Sequence, residues 1–284
     1  MIKKIVRGKD LSRGYIDYKD LYLLYIPWKF QLENYTSIKN YLLNYESDLK
    51  KRPEVKAGRV DWFALSRYAS DYFPEFEKKK LIYPNIANKL FAVYDSGKYY
   101  TVDTCYFITS ENLNLKFLGA LLSSKTLNFA FKFLGTPLRG NYYKLSKIFI
   151  ENLSIYAPDP IEETKIVNIA DKLLEINHKL HKEIDGFKHW ISKEFNIEKL
   201  SQKLEKYYEL SEDEFIDELK KKKVNTKLRK NLESLEREFT GSMLIIEPLL
   251  QQIDETENKI DQMVYDLYGL KQVEIKIIED NLNR

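Results

Sequence analysis

Short apolar runs dominate the first half of the chain, whereas apolar positions three and four residues apart dominate the second. Leu21–Ile26, Lys80–Ile86, Lys89–Tyr94 and Tyr99–Thr109 are rich in Tyr, Ile, Val and Phe, residue types that fit a pleated, half-buried surface, so each reads as a strand. Asp95-Ser96-Gly97-Lys98 stands between the last two runs and reads as a hairpin connection. Ser37–Leu49 and Leu115–Phe131 carry apolar residues at helical spacing. The first part is therefore expected to be α+β.

The pattern changes at Tyr156-Ala157-Pro158-Asp159-Pro160. Asp159 suits an N-cap, Pro160 the first helical position, and Glu162 the acid of a capping box. Ile166, Ile169, Leu173, Ile176, Leu180 and Phe187 then keep a nearly heptad rhythm, as do Ile246, Leu249, Ile253, Ile260, Val264 and Leu267 further on. Such a rhythm predicts two long antiparallel coiled-coil-like helices. Ser211-Glu212-Asp213-Glu214 starts a shorter helix between them, and Lys220–Lys223 ends it. The expected division is a mixed α/β domain over 1–157 and an all-α arm over 158–284.

Charge sharpens the division. Residues 1–157 hold 25 Lys and Arg against 15 Asp and Glu, a net of +10, whereas the remainder is net −7. A basic part that also holds most of the 21 tyrosines points to a polyanionic partner. No apolar run approaches the roughly 18 residues of a membrane helix, so no membrane partner is expected. The start of the chain lacks the apolar stretch of a signal peptide, and the single cysteine, Cys105, fits a core thiol in a reducing compartment. The expected location is the cytoplasm.

Little in the chain invites catalysis. All three histidines, His178, His181 and His189, lie in the helical part, so histidine catalysis is excluded from the basic part. His178 and His181 share a helix face but lie off the apolar stripe, and no zinc-ligand spacing exists. Asp159, Glu163 and Lys165 spell the acid-acid-lysine order of a metal-dependent nuclease, yet they also make a coherent helix start. There is no glycine-rich nucleotide loop, no P-loop and no Asn-Pro-Pro-Tyr or Asp-Pro-Pro-Tyr to hold an extruded adenine. No catalytic residue, metal site or cofactor is therefore expected in this chain.

Basic residues interleaved with aromatic and turn residues stand out instead. Lysines neutralise phosphates, while Arg and Asn read base edges in the major groove. The residues expected to touch DNA are Lys9, Arg13, Arg59, Trp62, Arg67, Lys78, Lys79, Lys80, Arg139, Asn141, Tyr142 and Lys144. The loops around Arg59–Arg67 and Arg139–Lys144 would supply base contacts.

Several segments occur in a telling order: Gly8-Lys9-Asp10-Leu11, Leu42–Arg52 ahead of a glycine and Trp62, and Lys80-Leu81-Ile82-Tyr83-Pro84-Asn85-Ile86. Leu118–Ser124, Leu138-Arg139-Gly140-Asn141-Tyr142-Tyr143 and Ile155–Pro160 follow. Through them residues 7–158 resemble the TaqI-like C-terminal specificity domain of adenine-specific DNA methyltransferases and fused restriction-modification enzymes. Tyr207–Leu219 and Val264–Leu270 are similar to the tails of large single-chain enzymes of that kind.

The resemblance implies sequence-specific recognition of duplex DNA, with adenine methylation or cleavage residing elsewhere. S-adenosylmethionine and Mg²⁺ would then be bound by a partner or another domain. Such enzymes carry nuclease and methyltransferase domains before this region, so the chain is expected to be a piece of a larger enzyme or a separate specificity subunit. The helical arm would act as a spacer or docking domain, docking a methyltransferase or nuclease partner or setting the distance to another recognition domain, and its coiled helices could close on one another or join two chains as a homodimer. Two rivals stay open. One is a protein-docking or inhibitory module that binds a methyltransferase subunit, and the other is a stand-alone Mg²⁺-dependent nuclease using Asp159, Glu163 and Lys165.

Overall fold

A strand that buries every residue needs neighbours on both edges and cover on both faces. Lys80–Pro84 is such a strand, and much of the first part is built around it. The computed structural model describes residues 1–68 and 70–282. Strands β1 (Ile2–Val6), β2 (Leu11–Ser12), β3 (Tyr15–Ile16) and β4 (Tyr22–Leu24) come first, followed by helices α1 (Thr36–Leu43), α2 (Glu46–Leu49) and α3 (Pro53–Lys56). Next are β5 (Lys80–Pro84), β6 (Ile86–Ala87), β7 (Val93–Asp95), β8 (Tyr100–Thr101) and β9 (Cys105–Ile108). Helices α4 (Leu115–Ser123) and α5 (Lys125–Leu134), strands β10 (Thr136–Leu138) and β11 (Tyr142–Lys144) and helix α6 (Lys147–Ile150) close this part. The rest is helical: α7 (Pro160–Glu194), α8 (Gln202–Glu205), α9 (Glu212–Lys221), α10 (Arg229–Leu267) and α11 (Gln272–Leu282). The α+β class holds, with strands in the first part and two long helices in the second.

The chain forms two compact units. The first comprises residues 1–115 and 131–152, and the second residues 116–130 and 153–284. By packing, most of α4 and the start of α5 thus belong with the helical unit. Leu115–Phe131 is not one helix, since the chain breaks at Ser124, whose hydroxyl donates to Leu121 O at 2.7 Å. Ser37–Leu49 likewise divides into α1 and α2.

In the first unit β5 is central and antiparallel to both neighbours, with Ile82 opposite Val93 of β7 and Phe107 of β9. Strand β1 lies between β4, antiparallel, and β8, parallel. A third sheet has the order β10-β11-β6. Val6, Leu11, Ile82 and Cys105 make one apolar cluster, and Ile26, Leu32 and Leu42 make another. Burial pushes the Cys105 thiol up to about 12, so it stays protonated and unreactive at neutral pH.

The Asp95–Lys98 turn exists, but the expected hairpin does not. Strand β7 pairs with β5, whereas β8 pairs with β1. Asp95 aims its carboxylate inward and accepts hydrogen bonds from Lys98 N at 3.1 Å and Tyr99 N at 3.2 Å. Gly97, at φ +96°, lies so close to the Phe73–Glu77 turn that a Cβ would sit 2.3 Å from Glu77 O. The turn is therefore shaped by a long-range contact and sends the next strand to another sheet.

In the second unit α7 starts at the anticipated cap. Asp159 Oδ1 accepts from Ile161 N at 2.7 Å and Glu162 N at 2.8 Å, and Glu162 accepts from Asp159 N at 3.1 Å. Asp159 is thereby committed to the helix terminus. Helix α9 is capped the same way by Ser211 and Glu214. Ile166 and Leu173 of α7 pack with Ile260 and Val264 of α10, while Ile184 and Phe187 pack with Leu235 and Phe239. That order makes the two helices antiparallel. The buried seam of α7 runs Ile166, Ala170, Leu173, Asn177, Leu180, Ile184, Phe187 and Ile191, alternating steps of four and three. Asn177, Ser242 and Thr256 occupy buried seam positions despite being polar. Asn177 Nδ2 donates to Leu173 O at 2.9 Å and Thr256 Oγ1 to Gln252 O at 2.6 Å, so each satisfies itself on its own helix. Ser242 bridges Tyr207, 2.7 Å away, and Glu183, to which it donates at 2.8 Å. Among the described residues no helix is long and apolar enough to cross a membrane.

Candidate nucleic-acid interface

Whether a basic side chain can meet an outside anion depends first on whether the fold has already supplied one. Arg7 is used internally. Its Nε and Nη2 each donate to Asp10 at 2.9 Å, and its backbone N–H donates there at the same distance. Burial pushes the Asp10 carboxyl up, but the Arg7 hydrogen bonds and charge outweigh burial and hold it below its ordinary range. Gly8, next in the chain, donates its N–H to Thr104 Oγ1 at 3.0 Å, and a Cβ there would lie 2.6 Å from Thr104 O. Arg52 is internal too, donating from Nη2 to Trp62 O at 2.7 Å and Ala64 O at 2.9 Å, and from Nε to Leu49 O at 3.2 Å. In the second unit Arg229 pairs with Glu233 and Arg237 with Glu238.

Arg59, Arg67 and Arg139 differ. All three are exposed, and among the described residues none of their guanidinium groups has a hydrogen bond or ion pair. Arg59 and Arg67 line one cavity of about 450 Å³ with Trp28, Tyr68 and Tyr72. The loop carrying them is fixed at several points. Arg52 clamps the carbonyls of 62 and 64, Leu65 N donates to Ile26 O at 3.0 Å, and Trp28 Nε1 donates to Leu65 O at 2.7 Å. The Tyr25 hydroxyl donates to Tyr68 O. These contacts fix the backbone between the two arginines, while their side chains stay exposed to solvent.

Arg139 lies at the tip of the β10–β11 hairpin. Gly140 and Asn141 both adopt left-handed φ, +79° and +59°, a pair of conformations that turns the chain within a few residues and that Gly and Asn tolerate best. Leu138, Arg139, Asn141, Tyr142 and Lys144 are all exposed on this projection. Its base is held by Tyr143, which packs edge-on against Phe131 with ring centroids 6.1 Å apart and pairs with Ala87 of β6.

The remaining expected contacts fare unevenly. Lys79 is exposed and has no ion pair among the described residues, and Lys9 is exposed in the Gly8–Asp10 turn. Arg13 is half-buried, between β2 and β3. Neither Lys9 nor Arg13 lines the Arg59–Arg67 cavity. Lys78 is exposed but pairs with Glu75 at 2.6 Å. Trp62 is half-buried and packs on the Ile26–Leu32–Leu42 cluster beside Phe63, so its ring serves the core.

Lys80 must be withdrawn as a DNA contact. Its side chain is 0% exposed, and Nζ donates to Asp95 Oδ2 at 2.6 Å and Phe76 O at 2.7 Å. A buried ammonium needs such partners, and it cannot reach phosphate without leaving them. The helical arm shows His178 and His189 exposed and His181 half-buried. Among the described residues no group of three or more His, Cys, Asp or Glu is placed to hold a metal ion.

Residues on which the loop depends, Trp28, Tyr25 and Arg52, were not singled out by the sequence pattern. An aromatic residue and an arginine look alike whether they hold a loop or meet a ligand.

Comparison with known proteins bears on the same region. The model of the TaqI-like C-terminal specificity domain matches residues 3–155, and a domain of unknown function (DUF8810) matches residues 159–264. The chain is 27% identical over 162 residues to the type II methyltransferase M.BstVI of Geobacillus stearothermophilus, a match covering 55% of this chain and 28% of that protein. It is 25% identical over 169 residues to the type II methyltransferase M.XhoI of Xanthomonas vasicola, covering 56% of this chain and 30% of that protein. The chain thus matches under a third of the length of these relatives.

Proposed function

This chain belongs to the family of TaqI-like C-terminal specificity domains, and from that membership we propose that it recognises a duplex DNA sequence for a restriction-modification system of the adenine-methylating kind. The observation that carries the proposal is the set of exposed arginines Arg59, Arg67 and Arg139, which have no partner among the described residues, in a basic part where Arg7 and Arg52 are internally bonded. At its tip, beyond the pairing of β11 with β6, the β10–β11 hairpin is two strands wide, a width that the major groove admits. Arg139 and Asn141 at its tip are suited to bidentate contacts with guanine and adenine, with Tyr142 and Lys144 beside them. Arg59, Arg67, Lys9 and Lys79 set register through phosphates and base edges.

Catalysis, with its S-adenosylmethionine and Mg²⁺, is assigned to a partner subunit or a further domain acting with this chain in the cytoplasm. The helical unit is assigned to docking that partner. Exposed Leu244 and Ile245 on α10 supply an apolar contact for it.

The test is selection from a randomised duplex library by the purified chain, with affinity followed across a salt series. A short enriched motif and steeply salt-dependent binding are expected. Arg139→Ala is expected to weaken binding by about 1–3 kcal/mol and to relax the preference at one position of the motif. Absence of binding at low salt refutes the reading.

A further inference from the structure

The cavity that holds Arg59 and Arg67 is walled by three aromatic rings, Trp28, Tyr68 and Tyr72. Trp28 is 47% exposed, and its indole N–H is already committed to Leu65 O. Tyr68 meets it edge-on, with ring centroids 5.2 Å apart and planes at 70°. The two rings make a corner into which a flat ring fits against a face of either. Tyr72 lines the same cavity. The volume of about 450 Å³ lies within the roughly 300–1,000 Å³ typical of small-ligand sites.

Charge narrows the ligand. Two guanidinium groups without partners among the described residues match a phosphate, which arginine holds bidentately. The carboxylates of Glu54 and Asp71 also line the cavity, and they can accept hydrogen bonds from an exocyclic amino group. A neighbouring cleft of about 810 Å³ shares Arg67, Tyr68 and Tyr72 and continues the aromatic surface through Tyr25 and Tyr100. A base inside a duplex has both faces covered by its neighbours and offers only its edges. Aromatic walls become useful once a base has left the stack.

We propose that this cavity receives an unpaired nucleotide of the DNA target, its base against Trp28 and Tyr68 and its phosphate on Arg59 or Arg67. The inference rests on the DNA-recognition reading above. It adds that the first unit binds a nucleotide displaced from the helix as well as reading paired bases.

The experiment uses the full chain and two labelled duplexes of the selected sequence, one fully paired and one with a single-nucleotide bulge, compared by fluorescence anisotropy. The bulged duplex is expected to bind more tightly by roughly 5- to 150-fold, the range for stacking one base on an aromatic side chain. Trp28→Phe and Trp28→Leu both lose the hydrogen bond to Leu65 O, so they differ in whether a ring remains. The bulged-to-paired ratio is expected to survive in the first variant and fall to about one in the second. Equal binding of the two duplexes by the unaltered chain overturns the inference while leaving duplex recognition standing. A preference that persists in Trp28→Leu overturns it as well. Failure to bind either duplex removes both readings.

Discussion

Lys80→Met separates two roles that the three consecutive lysines 78–80 cannot distinguish by composition. The lysine and Asp95 side chains are 0% and 1% exposed, joined at 2.6 Å, so removing the ammonium strands a buried carboxylate. Breaking such a pair from one side costs about 3–5 kcal/mol. Asp95 keeps the amide N–H groups of Lys98 and Tyr99 as donors, which places the expected loss near the lower end, about 3 kcal/mol. Methionine nearly fills the vacated volume, so a cavity adds little. Urea unfolding followed by tryptophan fluorescence in a Trp190→Phe background, which leaves only Trp28 and Trp62 of the first unit to report, should show a lower midpoint with unchanged slope. Adding Asp95→Asn should recover part of the loss, because the stranded charge is gone while an acceptor for Lys98 N–H remains. Lys79→Met, at an exposed site, should stay within about 0.5 kcal/mol of the parent, yet lower the slope of log affinity against log salt by about 0.9 for one lost phosphate contact. The reasoning is refuted if Lys80→Met unfolds at the parent midpoint and it is this variant whose salt slope falls.

Other outcomes follow from the same geometry. Arg52→Lys should weaken DNA binding although Arg52 faces the protein, because an ammonium cannot span the carbonyls of 62 and 64 as the guanidinium fork does; titration with the selected duplex reads the loss. Gly8→Ala places a Cβ 2.6 Å from Thr104 O, a backbone atom that must shift, and should cost about 1–3 kcal/mol in urea unfolding. Because the Asp10 carboxyl is held below its ordinary value, its contribution is fully present above the unfolded-state value of about 4. It is lost as pH falls through the lower folded-state value. Melting temperatures of the parent and Asp10→Asn should therefore differ at pH 7 and converge in acid.

What the sequence disclosed and what it concealed divide by the range of the interactions. The cap at Asp159, Pro160 and Glu162 is complete within four residues, so its chemistry could be read directly. The α7 and α10 rhythm was legible from apolar spacing, but Asn177, Ser242 and Thr256 broke it, since a polar residue in a seam is admissible only once its hydrogen bonds are known. Lys80 was misread because its partner lies fifteen residues away on another strand, and nothing local marks it apart from Lys78 and Lys79. The Asp95–Lys98 hairpin failed for the same reason, as the turn residues were right while the destination of the strand beyond them was set by β1. Arg59, Arg67 and Arg139 were legible as candidates. Their lack of internal partners emerged only when Arg7 and Arg52 were seen to be occupied.

Ser242, the buried polar residue that bridges α10 to Tyr207 and to Glu183 of α7, also bears on how the paired helices can change length. At about 1.5 Å per residue the 35 residues of α7 extend about 52 Å. Displacing one helix by a single turn would part Ser242 from Tyr207 and Glu183 and leave their buried oxygens without partners. Intermediate spans are therefore disfavoured. A change that keeps the seam in phase adds or removes seven residues in both helices together, altering the span by about 10 Å. The length of the paired helices is thus tied to the phase of their seam, in steps of whole heptads.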